Sequence, residues 1–137
     1  MSIEGRIAID VNFTDTSTAG GASSVKKVSL VDTHAYTSGK VAVVTGTCGT
    51  AQVGLSITDM DYKDASGSAV SFATVTRVAF QSTRKIHLSA FNGTVLCQSQ
   101  GGLAISDSDE ISDLQPPTVS PQYTSGTAVY TAVFYGT

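Results

Sequence analysis

Charge is what this sequence has least of. Only 14% of its 137 residues are Asp, Glu, Lys or Arg, against about 25% in an isolated soluble domain, so some of the uncharged surface is expected to lie against another subunit. Eight Lys and Arg with a net charge of −3 provide no cationic footprint for a phosphate backbone, which argues against nucleic acid as a partner. The same scarcity argues against anionic membrane surfaces, and no apolar run approaches the ~20 residues of a membrane-spanning helix. Met1-Ser-Ile-Glu-Gly-Arg6 has neither the basic stretch nor the continuous apolar stretch of a secretory signal. The chain is therefore expected to be made and to stay in the cytoplasm. Trp, the strongest aromatic platform for a sugar, is missing. Tyr36, Tyr62, Tyr123, Tyr130 and Tyr135 remain as candidates for such a role, and packing in the core or at a subunit interface is the simpler one. Two cysteines, Cys48 and Cys97, could pair only if their α-carbons came within about 4.4–6.8 Å. In a reducing compartment two free, partly buried thiols are expected instead.

What the sequence does hold is β-branched residues. Fifteen Val and eighteen Thr stand against two Glu and six Leu, a population that suits pleated sheets and makes poor helices. A chain of this length is expected to form one domain, residues 1–137, burying roughly two-thirds of its unfolded surface. Ile7, Ile9, Val11 and Phe13 alternate with polar or small residues, the period of a half-buried strand. Residues 14–24, TDTSTAGGASS, read as a mobile loop or arm. Strands are expected near 25–31, 40–45, 53–57, 73–81, 85–91, 94–97, 102–106, 110–114 and 127–135, with the segment 32–39 turn-like. Asn92-Gly93 between two alternating runs is the signal of a two-residue type I′ hairpin. Gln115-Pro-Pro117 breaks the ladder. Nine or ten short strands joined mostly by short turns predict an all-β protein, an antiparallel β-sandwich or jelly-roll-like barrel. The terminal strand carries Tyr130 and Phe134 on one face and Val129, Val133 and Tyr135 on the other, so burial on both faces is expected. Tyr36-Thr-Ser-Gly39 and Tyr123-Thr-Ser-Gly126 read as reuse of one turn rather than as an internal repeat.

The chemistry-bearing residues are few. Asp59, Asp61 and Asp64 place three carboxylates in six residues, and hard oxygen donors at such spacing suit Ca²⁺. The Gly and terminal Glu of an EF-hand loop are missing and Lys63 sits among them, so a solvated acidic turn is the preferred reading. Asp107, Asp109, Glu110 and Asp113 form a second acidic segment, read the same way. His34 and His87 are the only imidazoles, and Gly46-Thr-Cys-Gly49 lacks the strand-to-helix elbow of a nucleophile turn. No zinc spacing, phosphate loop or HExxH occurs. These residues define no catalytic set and no cofactor site, and a non-enzymatic role is expected.

Phe72-Ala-Thr-Val-Thr-Arg-Val-Ala-Phe80, a later Pro-Pro loop and the closing Ser-Gly-Thr-Ala-x-Tyr-x-x-x-x-Tyr-Gly-Thr resemble small β-sandwich structural proteins of tailed bacteriophages, including capsid cement (decoration) proteins. The resemblance covers chiefly residues 70–137. It implies a protein that forms a dimer or trimer on the capsid surface, binds the major capsid protein and strengthens the shell. Such a protein is made in the host cytoplasm and ends in the virion. A tail, neck or fibre component and a carbohydrate-binding adhesin module are the alternatives.

Overall fold

Alternating β-branched residues become ten strands and no helix among the described residues of the computed structural model, which are 3–15, 24–36, 40–55, 68–112 and 114–137. Packing divides the chain into two compact units, one of Glu4–Ala35 and one of Tyr36–Thr137 together with Ile3.

The first unit is a two-stranded sheet of β1 (Ile3–Asp15) and β2 (Ser24–Tyr36). In β1 the exposed Arg6, Ala8 and Asp10 flank a half-buried Ile9 as alternation requires, and the Ser29 hydroxyl donates across the pair to Asp10 Oδ1 at 2.7 Å. Segment 32–36, expected as turn, is strand. Of the expected loop at 14–24, residues 16–23 lie outside the described residues. A lone pair of strands is at best marginally stable in water, and Leu30 and Val31 of β2 are more than half exposed.

The second unit is an antiparallel β-sandwich. One sheet has the order β3 (Lys40–Cys48), β10 (Ala128–Gly136), β5 (Val75–Ser82), β8 (Leu103–Ile111). The other runs β4 (Val53–Gly54), β9 (Thr118–Pro121), β6 (Ile86–Ser89), β7 (Val95–Ser99). Every pairing is antiparallel: β3 with β10, β4 with β9, β5 with β8 and β6 with β7. First pairs with last, second with next to last, and so inward to the β6–β7 hairpin. That is one long hairpin folded over itself and closed by β10–β5 and β9–β6, the jelly-roll order. Because strands alternate in direction, the connections 49–52, 83–85, 100–102 and 122–127 gather at one end.

Central strand β10 shows how the core is filled. Ala128, Tyr130, Ala132 and Phe134 point inward, small and large alternating, and all are at most 1% exposed. They interdigitate with Ala42 and Val44 of β3, Val78 and Phe80 of β5, and Leu55, Ile86, Leu88, Cys97 and Val119 from the opposite side of the core. Phe80 and Tyr130 rings lie 6.1 Å apart and tilted. Only this face of β10 is core: Val129 is 49% exposed, and Val133 and Tyr135 are half-buried. Within the chain, then, the terminal strand is not buried on both faces.

Three local features differ from the sequence reading. Asn92-Gly93 does sit in the β6–β7 hairpin, but only Gly93 has positive φ (91°), whereas a type I′ turn needs it at both central residues. Gly93 N–H donates to Ala90 C=O and Ala90 N–H to Thr94 C=O, so the connection is a type I turn closed by a left-handed glycine bulge. Asn92 Oδ1 takes the Thr94 N–H at 3.0 Å, a local bond that favours this geometry. Second, the expected strands at 102–106 and 110–114 are one strand, β8, running through Asp107–Glu110. Third, Thr118–Pro121 is a strand despite its proline. The β4 ladder stops at Val53 opposite Val119, so at Pro121 no β4 partner is left to miss the N–H.

Candidate assembly surfaces

Since β10 and its neighbours alternate, their outward residues form rows across the first sheet. Register places Val133 of β10 opposite Val43 of β3 and Ala79 of β5, and Ala79 opposite Ile105 of β8. One row, Val43–Val133–Ala79–Ile105, is thus apolar across all four strands. Beside it runs Thr45–Thr131–Gln81–Leu103, and on its other side Val41–Tyr135–Arg77–Asp107. Arg77 and Asp107 neutralise each other, with Nε and Nη2 each 2.8 Å from Oδ1. Val43 (44% exposed), Ile105 (37%), Leu103 (43%) and Val129 (49%) are the exposed apolar residues of this face, while Val133 is half-buried and Ala79 lies buried between its neighbours.

The second surface is the end where four connections meet. Tyr123 donates its hydroxyl to the Cys48 carbonyl (2.5 Å), Gln122 N–H donates to Lys85 C=O (3.0 Å), and Gly101 N–H donates to Ser82 C=O (2.7 Å). Beneath them two buried serines tie the sheets together. Ser99 Oγ accepts Ser82 N–H at 2.8 Å and donates to Gly102 C=O at 2.5 Å, and Ser82 Oγ donates to the Arg84 carbonyl. Thr83, Arg84, Lys85, Gln100, Gln122 and Tyr123 line a cleft of about 340 Å³. Arg84 is already engaged there, with its guanidinium 3.9 Å above the Tyr123 ring and Nη1 donating to Ser125 C=O at 2.5 Å. Gly126 adopts φ +88°, and any Cβ there would collide with that guanidinium. These contacts make Arg84 and Tyr123 a clasp between two connections rather than an open sugar platform.

The other residues singled out in the sequence are dispersed. Asp59, Asp61, Asp64, Tyr62 and Asp113 lie outside the described residues, as do positions 37–39 of the first Tyr-Thr-Ser-Gly. Among the described residues no three potential metal ligands come together. Asp107, Asp109 and Glu110 are not a turn but strand positions whose side chains alternate between faces. Cys48 and Cys97 are buried and unpaired, and burial pushes the Cys97 thiol up to about 11, against a smaller opposing effect of Ser106. The Cys48 Sγ–H has the carbonyls of Gly49 and Ala51 as partners, at 3.7 and 3.6 Å. His87 is half-buried on the outer face of the second sheet, its Nε2 2.7 Å from Gln98 Oε1. His34 lies in β2, in the other unit. Tyr130 is core and Tyr135 is on the outer face of the first sheet. The four-strand apolar row is what sequence reasoning missed. Its signal was present strand by strand as Val43, Ala79, Ile105 and Val133, but joining them requires the register.

Comparisons with protein-family models, with curated proteins and with solved structures find no match to this chain.

Proposed function

We propose that this is a non-enzymatic virion structural protein, a capsid decoration protein that stabilises the major capsid protein lattice. The observation that carries the reading is the apolar row Val43–Val133–Ala79–Ile105 on the outside of a sandwich whose chain is only 14% charged. Such a face is suited to holding a protein surface by area rather than by charge. A jelly roll serves capsids, lectins and enzymes alike, so the surface, not the topology, supports the assignment. A decoration protein occupies several lattice contacts at once, and modest individual contacts then suffice through effective concentration. The two-stranded sheet of β1 and β2, with Leu30 and Val31 exposed, supplies a second apolar element for such contacts.

Mixing the purified protein with undecorated, expanded capsids of a tailed phage tests the proposal. Saturable binding that the Val133→Lys variant weakens at least tenfold is the expected result. Absence of saturable binding would remove the capsid reading.

A further inference from the structure

The edge of the first sheet at β3 fits a second copy of itself. Thr83 N–H donates to Val129 C=O, Val129 N–H donates to Thr83 Oγ1, and Thr76 Oγ1 donates to Tyr135 C=O, so the odd-numbered residues of β10 direct their backbone groups toward β5. The even-numbered ones therefore bond β3, through Tyr130 with Gly46, Ala132 with Val44 and Phe134 with Ala42. On β3 this leaves Val41, Val43, Thr45 and Thr47 with N–H and C=O pointing away from the sheet. Among the described strands, none lies beyond them in the sheet order.

The sandwich protects its other edges. β8 carries Asp107, Asp109 and Glu110, β4 is two residues long, and β7 is five residues long with a register shift opposite it. Charge, shortness and bulges are the usual means of blunting an edge. After Lys40, β3 has none of them across Val41–Cys48.

We infer that β3 pairs antiparallel with β3 of a second copy about a two-fold axis at Val44, extending the first sheet to eight strands. In that register Val43 meets Thr45 and Val41 meets Thr47 in both directions. Four pairs each exchange two bonds, about eight in all, and no other register engages every outward residue. The side chains match as well: Val faces Thr, and Ala42 faces Gly46. The two Lys40 side chains end far apart. Self-pairing at β8 would instead gather two aspartates from each chain. The apolar outer face stays uncovered by this pairing, so the inference is independent of the capsid reading.

Sedimentation equilibrium of the full chain tests it. A reversible species of twice 14.1 kDa is expected. Val43→Pro removes an outward N–H that no described strand of the chain engages, so it is expected to weaken the dimer at least tenfold with an unchanged circular dichroism spectrum. If that variant misfolds, Thr45→Lys, which puts charge on the edge, carries the same expectation. Val133→Lys, on the outer face, is expected to leave the dimer intact, and spin labels at Thr47 should lie about 20 Å apart between copies. A chain monomeric at millimolar concentration, a dimer that both edge variants leave intact, or one that only Val133→Lys dissociates would overturn it. Capsid binding is read separately, so either proposal can fail alone.

Discussion

The two sheets of the sandwich share a core yet present opposite outer faces. Across the first, Val43, Val133, Ala79 and Ile105 lie in one register row; across the second, the row is Gln98, His87 and Ser120. Inner faces must be apolar on both sides, because neither sheet has another partner for its buried residues. Outer faces carry no such requirement, so a difference there reports on use. In this molecule the central row of the second sheet is polar and that of the first is apolar.

At the shared core both sheets are expected to respond alike, and most strongly. Deleting residues 127–137 removes β10, which pairs with both β3 and β5, and should abolish soluble folded protein. Soluble, assembly-competent material would refute its central role. Phe134→Ala in the first sheet should cost about 3–5 kcal/mol and Leu88→Ala in the second about 2–5 kcal/mol by chemical denaturation, both leaving cavities at fully buried positions. A smaller loss on one side would mean that side can collapse.

At the junction between the sheets, Ser99→Ala takes away the acceptor of the buried Ser82 N–H, and a loss of about 1–3 kcal/mol is expected. Raising the pH probes the core through its titratable groups. Burial lifts Cys97 to about 11 and Tyr130 to about 12, above the ordinary 9.0 and 10.0 of the two groups. Groups with raised folded values contribute stability that is complete below their unfolded values and is lost as pH climbs to the folded ones. Denaturation midpoints should therefore fall between about pH 9 and 12, and Cys97→Ser with Tyr130→Phe should flatten the decline.

The smallest effects on stability, within about 0.5 kcal/mol, are expected at the outer rows. There the two faces should part company. Val133→Lys is expected to weaken capsid binding at least tenfold, while His87→Ala leaves it unchanged in the same pull-down. Equal loss from both would erase the distinction between the faces.

Much of this was legible in the residues and some was not, for identifiable reasons. The alternation in Thr127–Tyr135 reads directly as a strand, since period-2 patterning is a local property. Asp107–Glu110 reads as a turn because carboxylates are rare in strands, yet here the strand is an edge and charge serves it. Asn92-Gly93 signals a hairpin correctly, but which turn forms depends on where the strands stop pairing, and the register shift at Leu88/Ser89 decides that. The core role of Tyr130 and the outward role of Tyr135 cannot be separated from sequence, because alternation assigns them to opposite faces without saying which face is inside.

By itself the sequence determined the class: β-branched residues without helical periodicity leave sheets as the way to bury this chain. It also determined the scarcity of charge that any surface of the protein inherits. Only tertiary structure decided that β3 pairs with β10 around a nested jelly roll, that four separate residues form one apolar row, and that among the described strands none pairs with the outward edge of β3. Each of these depends on pairing between residues tens of positions apart, and the energy that selects one pairing over another is spread over the whole core.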